Sequence, residues 1–155
     1  DTFTIRNTVV RRLVHPARSV YDLIVIDCQP TLGILQRNAL AAATHLLFPV
    51  QLQKAALNGL DRIMNVVDEL SEINPELGVL GSVPYMYERT LISRQIEREL
   101  SERYWAKTTD TCIPKAKDFG EAYYAAEPVG SYAPSSKAAR SLRKLTRELT
   151  QRLSQ

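Results

Sequence analysis

The chain has 155 residues, 45% of them hydrophobic and 24% charged, the composition of one globular domain rather than of a disordered chain. No apolar run approaches the roughly 20 residues that a bilayer-spanning helix needs. No basic-then-apolar leader opens the chain, and Cys28 and Cys112 are too few for a disulfide scaffold or a four-ligand zinc site, so a cytoplasmic protein with buried free thiols and no membrane contact is expected. Net charge is only +3, yet six basic residues and one acid, Glu148, fall between Lys137 and Arg152. A basic tail on a near-neutral body suggests an anionic partner, with nucleic acid the leading candidate.

Taken in chain order, Ile5, Val9, Val10 and Leu13 repeat at helical spacing, and Pro16 ends that helix. Leu23-Ile24-Val25-Ile26 is a short β-rich run without polar alternation, the pattern of a strand buried on both faces of a parallel sheet; it ends at Asp27 and a turn-rich loop to Gly33. An Ala-rich helix over 34–43 and a second buried strand, His45 to Val50, follow. Residues 54–71 place Leu57, Leu60, Ile63, Met64, Val67 and Leu70 on one helical face. Asn74-Pro75 is a turn, and Leu77 to Tyr85 a third strand. Residues 91–104 form a helix with Ile92, Ile96 and Leu100 inward, and Thr111 to Ile113 is a short strand stopped by Pro114. A short helix over about 117–125, a Gly/Pro/Ser loop from Glu127 to Ser136 and a last helix from about Ser135 to Leu153 complete the chain. The stripe of that last helix is Ala138, Leu142, Leu145, Leu149 and Leu153. Strands alternating with helices give an α/β fold whose mostly parallel sheet is flanked by helices. Ligands bind such sheets beyond the carboxyl ends of the strands, so the loops at 27–33, 50–54, 84–90 and 113–118 should share one functional rim.

Asp27 at the end of its apolar strand has the form of a Walker B element. A buried strand delivers a carboxylate to the rim, where it can hold Mg²⁺ or its water beside nucleotide phosphates. Taken alone, such an acid serves equally as a helix cap or loop residue. The wider string is more specific. Tyr21 to Gly33, Asn38-Ala39-Leu40, Phe48-Pro49-Val50-Gln51 and Ala56-Leu57-Asn58-Gly59-Leu60 together resemble the ParA/MinD family of deviant-Walker ATPases, and the ParA branch most closely. Pro84 to Thr90, Ile113-Pro114, Glu121-Ala122, Glu127-Pro128 and Tyr132-Ala133-Pro134-Ser135-Ser136 match the same pattern in order. The resemblance runs from about Tyr21 to the last helix and implies a P-loop-type fold.

That resemblance implies a nucleotide-dependent homodimer that sandwiches ATP and Mg²⁺, binds DNA without sequence preference and is switched off by a ParB-like stimulating protein, in the cytoplasm on the nucleoid. By position, Asp27 is the Mg²⁺-linked acid and catalytic residue, and Gln29, Pro30, Thr31 and Gly33 belong to the switch that senses the γ-phosphate. Tyr87, Glu88, Ile113 and Pro114 lie near the adenine. Lys137, Arg140, Arg143, Lys144 and Arg147, mostly off the leucine stripe, are the DNA-contacting row; the plainer reading of that row is a solvated basic face.

Three departures from the family pattern bear on function. None of the six glycines begins the G-x-x-x-x-G-K-[ST] phosphate loop. Without it no backbone N–H groups cradle the phosphates, and ATP hydrolysis is not expected of this chain alone. Gln29 replaces a family proline, which loosens the switch backbone, and the Pro84–Thr90 loop is one residue short. With Asp1 in place of Met, the expectation is a C-terminal part of a longer ATPase, an incomplete P-loop-type sheet with an uncovered edge that favours dimerisation. The alternative is a phosphate-loop-less module that binds DNA or a partner without nucleotide and needs no cofactor.

The remaining candidates are weaker. His15 and His45 are isolated, with His45 placed in the core or at the rim. Cys28 lacks the phosphatase Cys-x₅-Arg pattern, because position 34 is Ile34, and is expected to be a small core residue beside Asp27. Tyr104, Trp105, Tyr123 and Tyr124 are expected to be packing anchors rather than a stacking platform.

Overall fold

The computed structural model describes residues 8–29, 33–53, 56–88, 90–104 and 108–154. The chain divides into two compact units: Asp1–Leu46 with Asn58–Val79, and Leu47–Leu57 with Leu80–Gln155.

The first unit pairs helix α1 (Val9–Val14) with helix α2 (Ile34–Ala42). Thr8 precedes α1 without capping it by its own side chain, and Asn38 of α2 does the capping instead. Its buried Oδ1 accepts from the N–H groups of Val9 and Val10 at 2.9 and 3.3 Å, while its Nδ2 donates to the Ile34 carbonyl. Those first-turn N–H groups have no intrahelical partner, so a buried amide that accepts both ties the two helices together. The carboxyl end of α2 is satisfied in the same manner. Arg18, from a 3-10 turn at Pro16–Ser19, donates to the Ala42 carbonyl, and Asn74 Nδ2 donates to the Leu40 and Ala43 carbonyls at 2.9 and 2.7 Å. Helix α3 (Ala56–Leu70) buries Val66 and Leu70 against Leu40, with Leu46, Ile73 and Leu77 packed around them. The side chains of Leu57, Leu60 and Ile63, three of the six expected on its inward face, lie outside the described residues.

Strands β1 (His45–Gln51), β2 (Gly78–Tyr87) and β3 (Ile113–Pro114) form a mostly parallel sheet in the order β1-β2-β3. The central strand β2 is buried without interruption from Gly81 to Pro84, as befits a strand covered on both faces. The Thr108 segment runs beside it before β3 begins. Ser82 and Thr108 bridge in parallel, their hydroxyls 2.9 Å apart, and Thr109 N–H donates to the Ser82 carbonyl. Helix α4 (Leu91–Tyr104) starts at Thr90, whose Oγ1 accepts from the Ser93 N–H at 3.1 Å as an N-cap. Helices α5 (Lys117–Tyr124), α6 (Val129–Tyr132) and α7 (Lys137–Leu153) share a small core of Ala122, Val129 and Ala138, flanked by Ala116, Phe119 and Leu142. Ser136 caps α7 by accepting from the Ala139 N–H.

Several expectations need correction. Leu23–Ile26 is not a strand: residues 22–29 make no backbone ladder bond among the described residues. The segment keeps the period of a strand, with Ile24 and Ile26 half-buried, but Leu23 and Val25 are 64% and 81% exposed. A strand exists only against a neighbour, and an apolar run suited to two covered faces has one half-covered face here. Cys28 consequently lies exposed rather than in a core. His45 is exposed at the start of β1, its ring 3.0 Å from the Thr44 hydroxyl. Ile92 is 69% exposed, because successive steps of four residues advance 400° and leave it about 80° around the helix from Leu100. Tyr123 and Tyr124 are exposed, because Phe119 and Ala122 fill the inward face of α5. The expected 127–136 loop also contains the helical turn α6.

Candidate functional site

The carboxyl ends of β2 and β3 meet in a built rim. The two strands pair in parallel, Tyr85 opposite Ile113 and Tyr87 opposite Pro114, so Met86 is the extra residue of a bulge. Met86 adopts φ 55°, a left-handed conformation that costs an L-residue about 1–2 kcal/mol, and such outliers gather where a strand end is re-aimed. Gln51, the last residue of β1, donates from Nε2 to the Met86 sulfur at 3.3 Å. Beyond the strands, Lys115 N–H donates to the Tyr87 carbonyl at 3.2 Å, and Lys115 Nζ pairs with Glu88 Oε1 at 3.1 Å. Pro114 is buried, Ile113 and Tyr87 are half-buried, and Glu88 is exposed.

The structure therefore brings together all four residues expected near a nucleotide base: Tyr87, Glu88, Ile113 and Pro114. Tyr87 sits on the strand end rather than in a loop, because β2 runs two residues further than its sequence pattern indicates. Gln51, Met86 and Lys115 fall within the loops expected at the rim, but the sequence does not single them out as site residues. Lys115 follows the Ile-Pro pair and could have been found from that position. Met86 could not, because a left-handed turn is signalled by Gly, Asn or Asp.

Of the expected switch residues, Gln29 and Gly33 are exposed, whereas Pro30 and Thr31 lie outside the described residues. Asp27 is exposed and stands beside Cys28; partial burial first, and the Asp27 charge second, push the Cys28 thiol up. Among the described residues no three of His, Cys, Asp and Glu converge as a metal-holding group.

The basic row occupies one long helix. Lys137, Arg140, Arg143, Lys144 and Arg147 of α7 are all exposed. Arg140 Nη1 donates to the Ser135 carbonyl and Arg143 Nη2 to the Pro134 carbonyl at 2.6 Å, which pins these two against the loop that leads into the helix. Arg152, also basic, belongs to the interior of the unit. It donates to Leu80 and Thr108 carbonyls and to Glu148 Oε1 at 3.2, 2.9 and 2.9 Å. Glu148 in turn accepts from the Asp110 and Thr111 N–H groups at 2.8 and 3.0 Å. Burial raises the Glu148 pKa, but the Thr111 side chain, these two N–H groups and Arg152 outweigh it and hold the carboxyl below its ordinary value. The buried Thr111 Oγ1 itself has no partner in hydrogen-bond geometry among the described residues, so the N–H groups and Arg152 are the secure donors. The Cys112 thiol, 3.4 Å from Glu97 Oε1, is pushed up to about 12 by burial and then by the Glu97 charge, which disfavours its thiolate.

A family model described as an AAA domain matches residues 2–79, half of the chain. The chromosome-partitioning ATPase Soj of Treponema pallidum is 33% identical over 149 residues, covering 95% of this chain and 59% of its own length. The chain belongs to the ParA/MinD family of ATPases. The cell division ATPase MinD of Pyrococcus furiosus shares the fold, with TM-score 0.77 and 22% identity over 92% of this chain and 57% of MinD. Cobyrinic acid a,c-diamide synthase from Mycobacterium smegmatis, solved with a bound ATP analogue and magnesium, superposes with TM-score 0.74 at 27% identity, covering 90% of this chain and 51% of that one. The chain spans about half the length of the curated relatives it matches, between 47% and 59% for the first three. Among the described residues no helix is long and apolar enough to cross a membrane.

The rim between β2 and β3 brings half-buried Ile113 and Tyr87 beside the exposed Glu88–Lys115 pair, a mixture of apolar and polar groups suited to a heteroaromatic ring, while Pro114 is buried. The phosphate end is different. The sequence holds no glycine-rich loop with its lysine, and Asp27 is a single carboxylate. The rim thus offers groups for a base, and the sequence no glycine-rich cradle for phosphates.

Proposed function

We propose that this chain is the part of a ParA-type partition ATPase that supplies the nucleotide-base rim and the DNA-contacting helix. The observation that carries the reading is the parallel pairing of β2 and β3, which sets Tyr87, Glu88, Ile113 and Pro114 on one edge at the carboxyl ends of the strands. In this reading the base lies against Ile113 and Tyr87 at the strand ends that Pro114 closes, and the Glu88–Lys115 pair borders it. Asp27 is the Mg²⁺-linked acid and Gln29 to Gly33 the switch, both acting only when phosphate-binding groups are present. ATP and Mg²⁺ supply the charge that closes a homodimer, and a ParB-like protein triggers its release, in the cytoplasm on the nucleoid. No hydrolytic step is assigned to this chain's own residues.

The exposed row Lys137, Arg140, Arg143, Lys144 and Arg147 supports a nonspecific DNA surface. Phosphate contacts carry position but no sequence information, and an exposed basic row makes them along any duplex. If four phosphates are neutralised per subunit, the log–log salt slope is about −3.6. Fluorescence anisotropy on duplex DNA across a salt series tests this. Arg140/Arg143/Arg147→Ala should flatten the slope, and an unchanged slope overturns the DNA assignment. For the base rim, quenching by a fluorescent adenosine is the readout: Ile113→Asp should abolish it, and equal quenching in wild type and variant refutes the rim.

A second reading dispenses with the nucleotide. The chain would then bind DNA or a partner with no nucleotide at all. DNA affinity indifferent to ATP, in any longer protein that contains this chain, selects that reading.

A further inference from the structure

Helix α5 ends in two aromatic side chains that nothing in the fold requires. Tyr123 and Tyr124 are 83% and 91% exposed, and Tyr124 is the most exposed large apolar or aromatic side chain among the described residues. Their rings meet edge to face, centroids 6.3 Å apart and planes at 78°. Phe119 and Ala122 already fill the inward face of the helix against Ala138 and Leu142. Gly120 lies one turn earlier on the tyrosine side, and a Cβ built there meets nothing within 4 Å. Two rings thus stand on a helix face whose backbone is otherwise bare.

The surroundings favour a cation. The carboxyl end of the helix lies at Tyr124, its last-turn carbonyls taken up by the N–H groups of Ala125, Ala126 and Glu127, so the negative charge here comes from side chains. Glu121 and Glu127 flank the pair and are exposed. Glu127 makes no ion pair among the described residues, and the single cation of α5, Lys117, is held by Glu121 at 3.1 Å. Aromatic faces add the negative side of their quadrupole. Phosphates brought here would meet carboxylates, so this face complements the basic row of α7 and does not extend it.

We propose that Tyr123 and Tyr124, with Glu121 and Glu127, form a docking site for an arginine-bearing peptide segment of a partner protein. A guanidinium stacks flat on a tyrosine ring while its N–H edge reaches a carboxylate, and it sheds water more readily than an ammonium. The proposal is independent of the nucleotide and DNA readings, since no residue of the rim or of α7 enters it.

The test is tyrosine-ring and backbone NMR on the full chain, titrated with a blocked tetra-arginine peptide, and in parallel with tetra-lysine and with a duplex oligonucleotide. Shifts are expected at both rings and at the Gly120 amide. Tyr123→Ala/Tyr124→Ala should weaken tetra-arginine binding about tenfold, whereas Tyr123→Phe/Tyr124→Phe should stay within about twofold. Glu121→Gln/Glu127→Gln should weaken it about threefold. Because both rings are exposed, the alanine pair should melt at the wild-type temperature, which separates loss of binding from loss of fold. Ring signals that ignore tetra-arginine overturn the proposal. So do equal responses to tetra-lysine, a response to DNA in place of peptide, and binding undiminished in the alanine pair.

Discussion

Replacing Glu148 tests how the last helix is held. Its carboxylate gathers three donors, the N–H groups of Asp110 and Thr111 and the Arg152 guanidinium, which also fastens the Leu80 and Thr108 carbonyls. The side chains of Glu148 and Arg152 are only 16% and 23% exposed, so water replaces the lost partners poorly. A hydrogen bond to a charged group contributes about 1.5–3 kcal/mol. Asp110 is exposed and can be resolvated, whereas Thr111 is buried and cannot. Glu148→Ala should therefore cost about 2–3 kcal/mol, and Glu148→Gln, which keeps one acceptor, about 1 kcal/mol. In a domain of this size each kcal/mol shifts Tm by about 2–4 °C. Thermal denaturation followed by circular dichroism should then show a fall of roughly 5–10 °C for the alanine variant. The pH dependence adds a second check. The folded pKa of Glu148 lies below its unfolded value, so its stabilisation is complete above the unfolded range, about 4.3, and is lost as pH falls through the lower folded value. Wild type and Glu148→Gln should converge in stability at that acidic end. Equal Tm for wild type and Glu148→Ala at neutral pH, or a gap between wild type and Glu148→Gln that persists at the lowest pH, refutes the reasoning.

Three more outcomes are expected. Ala126 sits at φ 52° where α5 ends in a Schellman arrangement, with Glu127 N–H donating to the Ala122 carbonyl and Ala126 N–H to that of Tyr123, so Ala126→Gly should stabilise by about 0.5–1 kcal/mol in urea melts. Asn74→Ala strands the Leu40 and Ala43 carbonyls at the end of α2 and should cost about 2 kcal/mol by the same measure. Iodoacetamide at mildly alkaline pH should label exposed Cys28 about tenfold or more faster than Cys112, as mass mapping of the two peptides would show.

What was legible in the sequence was whatever periodicity encodes. Helix α4 begins and ends where its pattern does, α7 within two residues of it, and the family strings include the residues that meet at the β2–β3 strand ends. Pairing was less legible. The run Leu23–Ile26 has the composition of a strand, but composition cannot supply the neighbour that makes one. Ile92 and the two tyrosines show the same limit at single residues. Apolar character says that a side chain can be buried, and a helical turn of 100° per residue decides whether it is. The left-handed Met86 and the Asn38 cap left no local signature, because both depend on partners distant in the chain.

The bare apolar segment before Gln29 has a consequence for handling the protein. Leu23-Ile24-Val25-Ile26 combines high β-propensity with no charge or proline, the signature of a self-associating zipper. Asp22 and Asp27 bracket it as gatekeepers, each exposed, and like charge at both ends resists stacking of one copy on another. Asp27 therefore has two employments: the carboxylate proposed for Mg²⁺ is also half of the solubility guard. An Asp27→Ala variant that loses function by precipitating would imitate one that loses it by chemistry. The matched control is Asp22→Ala, which weakens the guard and leaves the proposed metal position intact.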